Sequence, residues 1–381
     1  MLGRLLGAIF ILASIAPAGA QEGPLYASRP TQILKLTDLN ADGDFLDFAE
    51  IAEYAAGLPA GLGAIVNSGD DLYVVDGPTA SIYRLRDLNA DGDALDFAEV
   101  LLYAQLVVQP TPSLVGLALD TEGGLFTLDS ASASLYRAAD LNADGDALDA
   151  NEFMQIATGL SSPAAIALRP DGRFLAALNN ATTPIRILRD LTADGDYFDF
   201  AENISYAEDV PAGSDLVAVD DHLAYFSRTT EGRLMKLHDW TGDDDVLDFA
   251  EILPFAEGLP SPARLALEGA NGLFVACQNP GGSLYLLRDL NADGDALDFA
   301  EAIIVAESLT QVGGLTYVSP PIAACLKGDA DGNDAVNTAD ITPMVNILLG
   351  TVVPADPCPA DTNSDGQLNG LDVRAFVDII L

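Results

Sequence analysis

Thirteen residues of this chain read Asp38-Leu-Asn-Ala-Asp-Gly-Asp-Phe-Leu-Asp-Phe-Ala-Glu50, and the same pattern recurs five more times. The copies are spaced by 49 to 53 residues. A repeat of about 50 residues is typical of one four-stranded blade of a β-propeller. Six copies therefore predict six blades. The later copies begin at Asp87, Asp140, Asp190, Asp239 and Asp289.

The residues between the copies form short apolar runs separated by turns rich in Gly, Asp and Asn. In the second repeat these runs are Leu62–Val66, Leu72–Val75, Ile82–Leu85 and Val100–Tyr103, a pattern that predicts β-strands. The first repeat lacks its first strand, and Gly314–Val318 supplies a matching run at the far end of the array. We expect this last strand to pair with the first blade, because closing the ring removes an open sheet edge.

The chain is therefore predicted to be mainly β, with a six-bladed β-propeller over residues 21–318. A linker over 319–326 and a small α-helical module over 327–381 follow it. Apolar residues make up 49% of the chain, enough for a sizeable core. The blade sequences resemble those of the NHL and SMP-30-like six-bladed propellers over roughly residues 22–318.

The acidic repeats are typical of calcium loops. Calcium binds six to eight oxygen ligands, and an EF-hand loop supplies them from positions 1, 3, 5, 7, 9 and 12, with glycine at 6. The first repeat follows this spacing up to Gly43. Beyond the glycine, Leu46 takes the hydrophobic position and Glu50 the closing position, each one residue late, which indicates a one-residue insertion after the glycine. The predicted ligands of this loop are Asp38, Asn40, Asp42, Asp44, Asp47 and Glu50.

The other five repeats supply the same positions, except that Asp244 replaces the glycine of the fifth. The predicted ligands are Asp87, Asn89, Asp91, Asp93, Asp96 and Glu99 in the second loop and Asp140, Asn142, Asp144, Asp146, Asp149 and Glu152 in the third. They are Asp190, Thr192, Asp194, Asp196, Asp199 and Glu202 in the fourth, Asp239, Thr241, Asp243, Asp245, Asp248 and Glu251 in the fifth, and Asp289, Asn291, Asp293, Asp295, Asp298 and Glu301 in the sixth.

An acidic surface turn that starts a helix is the alternative interpretation of these loops, because Asp47-Phe-Ala-Glu50 resembles a capping box. The two interpretations are compatible, since a cap can present Glu50 to an ion. Five carboxylates within thirteen residues repel one another unless a cation neutralises them. We therefore predict Ca²⁺ as the cofactor, and expect it to stabilise the fold rather than to signal.

Two further loops with uninterrupted EF-hand spacing lie near the end of the chain, and each precedes a helical pattern, Ile341–Leu349 or Val373–Leu381. This duplicated loop–helix resembles a type I dockerin over residues 327–381. The resemblance implies Ca²⁺ binding and docking to a cohesin-like or cell-surface protein; an intramolecular role is the other option. It implies these ligands: Asp329, Asp331, Asn333, Asn337, Asp340, Asp361, Asn363, Asp365, Asn369 and Asp372.

The module also departs from the dockerin pattern. Cohesin-recognising dockerins often carry Ser-Thr at loop positions 10 and 11, where this chain has Thr338-Ala339 and Gly370-Leu371. A later basic pair is replaced by Val345-Asn346. Cys325 and Cys358 precede the two loops, and a disulfide between them is one expectation for an oxidising compartment.

The N-terminus has the pattern of an export signal. Arg4 precedes the apolar run Leu5–Ala16, and Ala18-Gly-Ala20 is a small-residue cleavage site. We expect a signal peptide over residues 1–20 and a secreted, extracellular monomer. The run is too short to span a bilayer, and no later stretch is long enough.

The charge of the chain excludes whole classes of partner. It carries 58 Asp and Glu against 17 Lys and Arg, a formal net charge of −41. Such a chain repels nucleic acid and anionic membranes, so we expect neither as a partner.

We expect a binding or scaffolding module rather than an enzyme. The chain contains only two histidines, His222 and His238, and no G-x-S-x-G motif. Acids outside the loops, such as Asp76, Asp129 and Asp220, suit turns. The alternative is a polysaccharide-degrading or lactonase-type propeller enzyme. Small polar loops on the face opposite the acidic loops suit carbohydrate or protein contact: Gly77–Ser81, Asn179–Thr183, Ser227–Gly232 and Asn279–Gly282.

Overall fold

The structure, a computed structural model, describes residues 23–108, 111–179, 184–199, 201–208, 213–268, 272–279, 281–298, 300–319, 327–330, 336–349, 360, 362 and 372–380. The chain divides into two compact units, Met1–Ser319 and Pro320–Leu381. The predicted signal peptide, most of the predicted linker, Cys325 and Cys358 lie outside the described residues.

The first unit consists of six four-stranded antiparallel sheets. Its strands are four to seven residues long, since Gly, Asp and Pro in the intervening turns end each apolar run. They are β1 (Leu25–Arg29), β2 (Gln32–Leu36), β3 (Ile51–Ala55), β4 (Leu62–Ser68), β5 (Asp71–Asp76), β6 (Ser81–Arg86), β7 (Val100–Gln105), β8 (Leu114–Leu119), β9 (Leu125–Asp129), β10 (Ser134–Ala138), β11 (Phe153–Ala157), β12 (Pro163–Leu168), β13 (Phe174–Leu178), β14 (Ile185–Leu188), β15 (Asn203–Ala207), β16 (Asp215–Ala218), β17 (Leu223–Arg228), β18 (Arg233–His238), β19 (Ile252–Glu257), β20 (Pro262–Glu268), β21 (Gly272–Cys277), β22 (Ser283–Arg288), β23 (Ala302–Glu307) and β24 (Gly314–Tyr317).

Each sheet is one blade, and the six together confirm the predicted propeller. Blades 2 to 6 use four consecutive strands each, starting with β4, β8, β12, β16 and β20. Blade 1 has the order β24-β1-β2-β3, so the last strand completes the first sheet. Leu25 pairs with Tyr317 and Ser28 with Gly314 across this junction. The predicted ring closure is therefore confirmed.

Two glycines allow β24 to approach the neighbouring blade closely. A Cβ atom on Gly313 would lie 2.3 Å from the carbonyl oxygen of Leu62, and one on Gly314 would lie 2.8 Å from the Cα of Ala64. Since real Cβ contacts are never that short, only glycine fits at these two positions.

The hydrophobic core lies between the blades. Six clusters of buried apolar side chains each combine residues of two neighbouring blades. Phe126 of blade 3 and Phe174 of blade 4 are an example, with ring centroids 4.5 Å apart. Cys277 lies in one cluster as a buried free thiol, as expected, and burial raises its pKa to about 12.

A β-bulge recurs at one place in every blade. The third strand pairs with the outermost fourth strand, and one residue of the fourth strand is left without a partner near its end. In blade 1, Ile33 pairs with Ala55 and Leu34 with Glu53, so Tyr54 is the bulged residue. A bulge leaves its residue outside the ladder hydrogen bonds. The six bulged residues are Tyr54, Tyr103, Ile156, Tyr206, Phe255 and Val305.

The second unit contains two short helices, α1 (Ile341–Leu348) and α2 (Asp372–Ile380), and a 3-10 turn over Thr338–Asp340. Both predicted helices are confirmed with ends shifted by one residue. Met344, Ala360 and Phe376 are its buried apolar residues among those described.

We predict that a chain ending at Val312 loses the propeller fold. Without β24, the edge of β1 is open and its apolar face loses Leu315, a buried partner. Thermal unfolding followed by circular dichroism should lose its cooperative transition. A chain ending at Ser319 is the matched control and should melt as the full chain's propeller does. Equal melting of the two truncations would contradict the role of β24.

Candidate metal centres in the aspartate loops

The first acid of each loop organises the turn around its own carboxylate. Asp38 accepts hydrogen bonds from the backbone N–H groups of Ala41 at 2.6 Å and Gly43 at 2.8 Å. Ala41 and Gly43 have φ values of +59° and +90°, a left-handed conformation that turns the N–H groups inward. The loop is thus held as a concave turn by its position 1 side chain.

The closing glutamate of each loop is buried. Glu50 is 1% exposed and accepts from the N–H groups of Leu39 at 3.0 Å and Asp47 at 2.9 Å. The five equivalent glutamates make the same pair of bonds. Burial acts to raise the pKa of Glu202, but the N–H groups of Leu191 and Asp199 hold it below its ordinary value.

These contacts bear on the helix start that was the alternative interpretation of the Asp47–Glu50 segment. The bond from the Asp47 N–H to the Glu50 carboxylate has capping-box character. However, β3 begins directly afterwards at Ile51, so no helix starts there. The glutamate therefore joins the two ends of the loop to each other.

The structure corrects the predicted position of the inserted residue. Phe45, at loop position 8, is 3% exposed, whereas Leu46 at position 9 is 52% exposed. The hydrophobic position of the EF-hand loop therefore corresponds to Phe45, and the extra residue follows it rather than the glycine. The sequence offered two adjacent apolar residues, and only the neighbouring blade distinguishes them.

Position 8 connects each loop to the preceding blade. The Phe45 N–H donates to the carbonyl of Val305 at 2.7 Å, and the Ala94 N–H donates to that of Tyr54 at 2.7 Å. Both acceptors are bulged residues, whose carbonyls are free of the ladder. The remaining bonds join Ala147 to Tyr103, Tyr197 to Ile156, Val246 to Tyr206 and Ala296 to Phe255, at 2.7 to 2.9 Å.

Basic side chains reinforce three of these interfaces. The Lys35 ammonium donates to the carbonyl of Gly92 at 3.0 Å, Arg84 donates to that of Gly145 at 2.9 Å, and Lys236 to that of Gly294 at 3.0 Å. Each donor lies on the third strand of the preceding blade, and each acceptor is the position 6 glycine.

The fifth loop uses a different contact at the same place. Asp244 replaces the glycine and keeps a left-handed φ of +72°. Its carboxylate accepts from Arg173, lies 3.3 Å from Arg189 and 3.9 Å from Arg169, all of blade 4. Arg169 is 2% exposed, so its charge depends on Asp244 and on Asp171 at 3.0 Å. An ion-pair cluster thus compensates for the strained turn.

The interior of each loop offers oxygen ligands but no basic side chain. In loop 1 the Asn40 amide donates to the carboxylates of Asp42 at 3.0 Å and Asp47 at 2.6 Å. Asn89, Asn142 and Asn291 bridge the equivalent acids. A polarised N–H₂ group therefore lies where two carboxylates converge.

The donor set of the loops fits calcium. Rotation of the amide would present its oxygen to a cation at that point. Within the described part of the chain, no three acidic or thiol or imidazole groups already form a metal cage. All donors in the loops are oxygens, as Ca²⁺ requires.

The loops also expose large apolar side chains. Position 2 is 55–63% exposed and position 9 is 47–52% exposed in all six loops. At position 11, Phe48, Phe97 and Phe249 are 99–100% exposed. The surface formed by the aspartate loops therefore carries apolar groups among its carboxylates.

The C-terminal loops are described only in part. Asp329, Asp340 and Asp372 are 6%, 0% and 0% exposed, and Asn337 accepts from the Ala339 N–H at 2.8 Å. The other predicted ligands lie outside the described residues: Asp331, Asn333, Asp361, Asn363, Asp365 and Asn369. The predicted ligand set of this module stays a prediction.

The remaining candidates from the sequence have structural partners. His222 lies 3.6 Å from the Asp239 carboxylate, and His238 stacks on Trp240 with ring centroids 3.5 Å apart. Asp129 accepts from the N–H groups of Ser113, Ala131 and Ser132, which is a turn role. Asp220 likewise accepts from the N–H groups of the turn that follows it, and the Asp76 carboxylate accepts from the Thr79 hydroxyl.

Sequence reasoning missed two charged residues of the central channel. The innermost strands enclose a volume of about 690 Å³, and Asp215 and Arg264 line it. Asp215 is the first residue of β16 and Arg264 the third residue of β20, and each directly precedes an apolar stretch of its strand. An aspartate or arginine next to a strand is usually a surface residue, so the sequence carried no signal for them.

We predict that Asp244→Asn lowers the stability of the propeller by about 3 kcal/mol, since it leaves the buried Arg169 charge undercompensated. The melting temperature should fall by roughly 6–12 °C. The control is Asp70→Asn, which removes an exposed turn carboxylate and should change little. Equal melting temperatures of both variants would contradict the proposed contribution of the ion-pair cluster to stability.

Comparison with known proteins identifies the second unit and places the fold of the first. Residues 327–377 match the model of the Dockerin type I domain. No curated protein matches the chain. One chain of a nidogen–laminin complex is 18% identical with a TM-score of 0.54, covering 77% of this chain and 97% of that one. A Bacteroides caccae protein of unknown function is 11% identical with a TM-score of 0.51, covering 78% and 99%.

A virginiamycin B lyase from Staphylococcus aureus is 14% identical with a TM-score of 0.45, covering 71% of this chain and 83% of that one. The two matches with TM-scores above 0.5 bear on the fold alone, because their identities are 18% and 11%. None of the helices in the described ranges has the length and hydropathy needed to cross a bilayer. Residues 327–377 are thus a dockerin type I domain, and they follow a six-bladed β-propeller.

Proposed function

We propose that this protein is a secreted, calcium-stabilised propeller that acts as a binding or scaffolding module and is attached to its partner through the dockerin domain. The observation that carries the proposal is the sixfold hydrogen bond from loop position 8 to the bulge of the preceding blade. Because this bond joins the loop to the preceding blade, a ligand that orders the loop also orders the interface between the two blades.

Calcium is the cation we propose for the loops. Each loop holds at least five carboxylates and no lysine or arginine, within a chain of formal charge −41. The ligands would be the carboxylate and amide or hydroxyl oxygens at positions 1, 3, 5, 7, 10 and 13. When bound, the ion supplies positive charge that offsets carboxylate repulsion.

The energetic effect of six such sites is large enough to decide whether the ring is stable. A site at ten times its dissociation constant contributes about 1.4 kcal/mol. Six independent sites would contribute about 8 kcal/mol, which is comparable with the typical stability of about 5–15 kcal/mol for a whole domain. Calcium would then be a structural requirement of the propeller.

The dockerin domain supports a docking role. Type I dockerins dock to cohesins, so we propose a cohesin-like partner. The positions that often read Ser-Thr hold Thr338-Ala339 and Gly370-Leu371 here, which suggests that this domain recognises a partner surface of its own. We favour binding over catalysis by the propeller because His222 and His238 lie against the fifth loop rather than in the channel.

We predict that chelation of calcium lowers the melting temperature of the propeller by roughly 15–30 °C, because about 8 kcal/mol of linked binding energy is lost. Differential scanning calorimetry in EDTA and in excess Ca²⁺ measures this shift. Asp42→Asn should lower the number of bound ions by one, while Glu122→Gln, an exposed acid outside the loops, should not. An unchanged melt in EDTA would rule out the structural role of calcium.

We predict that the full chain captures a cohesin-like or surface protein from its own source in Ca²⁺, and releases it in EDTA. Quantitative mass spectrometry of the captured proteins is the measurement. The matched control is the chain ending at Ser319, which lacks the dockerin domain and should capture none of these. Identical captures by both chains would contradict docking through the dockerin domain.

A further inference from the structure

The central channel has the size and lining of a ligand site. Its volume of about 690 Å³ falls within the range of about 300–1,000 Å³ that is usual for small-molecule pockets. Most of its lining residues are small or aliphatic, with Val115, Leu117 and Ala167 as examples. A few convergent polar groups in such a lining generally determine which ligand binds.

Arg264 is one of the two charged residues among those that line the channel. Its Nη1 donates to the carbonyls of Ser214 at 3.0 Å and Ala263 at 2.9 Å, and its Nε donates to that of Gly313. These bonds hold the guanidinium against three successive segments of backbone. Its Nη2 donates to no group in the described part of the chain and is available to a ligand.

Asp215 is the other charged residue, and it lies in the neighbouring blade. Its Oδ2 accepts from the Leu265 N–H at 2.8 Å, which fixes the carboxylate against the residue that follows Arg264. Burial raises the pKa of Asp215, and the charge of Arg264 opposes that shift. A carboxylate has about four acceptor positions, so others remain for a ligand.

The chemistry of this pair selects its ligand. With Asp215 ionised, the two side chains carry no net charge, so neither an anion nor a cation gains a net electrostatic attraction. Arg264 only donates hydrogen bonds and the ionised Asp215 only accepts them, whereas a hydroxyl group does both. Two adjacent hydroxyls can therefore satisfy both side chains, while C–H groups of the same ligand pack on the aliphatic lining.

We propose that the channel binds a neutral saccharide, with adjacent hydroxyls bonded to Asp215 and Arg264. This inference rests on the proposed binding role of the propeller and names its ligand class and residues. The channel volume admits a ligand of about one to three sugar rings. The negative field of the whole chain also disfavours acidic sugars.

The test is titration of the calcium-saturated full chain with the neutral disaccharides cellobiose, maltose and lactose, followed by calorimetry. We expect at least one to bind with a dissociation constant in the millimolar range or below. Asp215→Asn should weaken that binding at least tenfold, because it removes a charge-assisted hydrogen bond. Glu122→Gln is the matched control and should bind as the wild type does.

A second measurement distinguishes a ligand-binding role of Asp215 from a purely structural role. Asp215→Asn leaves the Arg264 charge unbalanced, so the variant should bind glucuronic acid more tightly than the wild type does. Loss of a merely structural contact would not produce that change. In the wild-type protein, the bound disaccharide should slow hydrogen exchange of the Leu265 amide. This measurement does not depend on the folding of any variant.

Absence of neutral-sugar binding, or binding that Asp215→Asn leaves unchanged, would overturn the inference. Protection confined to amides outside the innermost strands would do the same. The calcium dependence of melting is measured on the same samples. Calcium stabilisation without sugar binding therefore rejects the channel site alone, whereas an absent calcium effect rejects the proposed scaffold.

Discussion

One hydrogen bond, repeated six times, connects the local chemistry of this chain to its global shape. Each aspartate loop presents the N–H of its position 8 to a carbonyl that a β-bulge has released from the preceding blade. The bulge supplies an acceptor without a ladder partner, and the buried position 8 of the loop supplies the donor. Neither the bulge nor the loop alone would connect two blades. The bulge carbonyl needs a donor, and the loop N–H needs an acceptor on the neighbouring blade.

The ring is held by different groups at different interfaces. Lysine or arginine side chains reach the glycine carbonyl of the next loop at three interfaces, and Asp244 gathers three arginines at a fourth. The junction of blades 1 and 6 instead buries Phe45 against Phe274, with ring centroids 6.2 Å apart. A common backbone bond with variable side chains allows the repeats to diverge without opening the ring.

Much of this architecture follows from the sequence, because the repeat period, the four apolar runs and the missing first strand are all visible along the chain. The features that could not be predicted from the sequence have one cause in common. Three features depend on a neighbouring blade about 50 residues away: the burial of Phe45 rather than Leu46, the ion pairs of Asp244, and the presence of Asp215 and Arg264 in one channel. Periodicity within a repeat carries no information about contacts between repeats, so these residues become interpretable only when the ring is assembled.

The most direct test of the account is hydrogen exchange at the six position 8 amides, measured with and without calcium. The amides are those of Phe45, Ala94, Ala147, Tyr197, Val246 and Ala296. If metal-ordered loops hold the blades together, all six should exchange slowly in Ca²⁺ and lose protection together in EDTA, before the amides of the central strands do. Equal protection of these amides in both conditions would show that the blade interfaces do not depend on the ion.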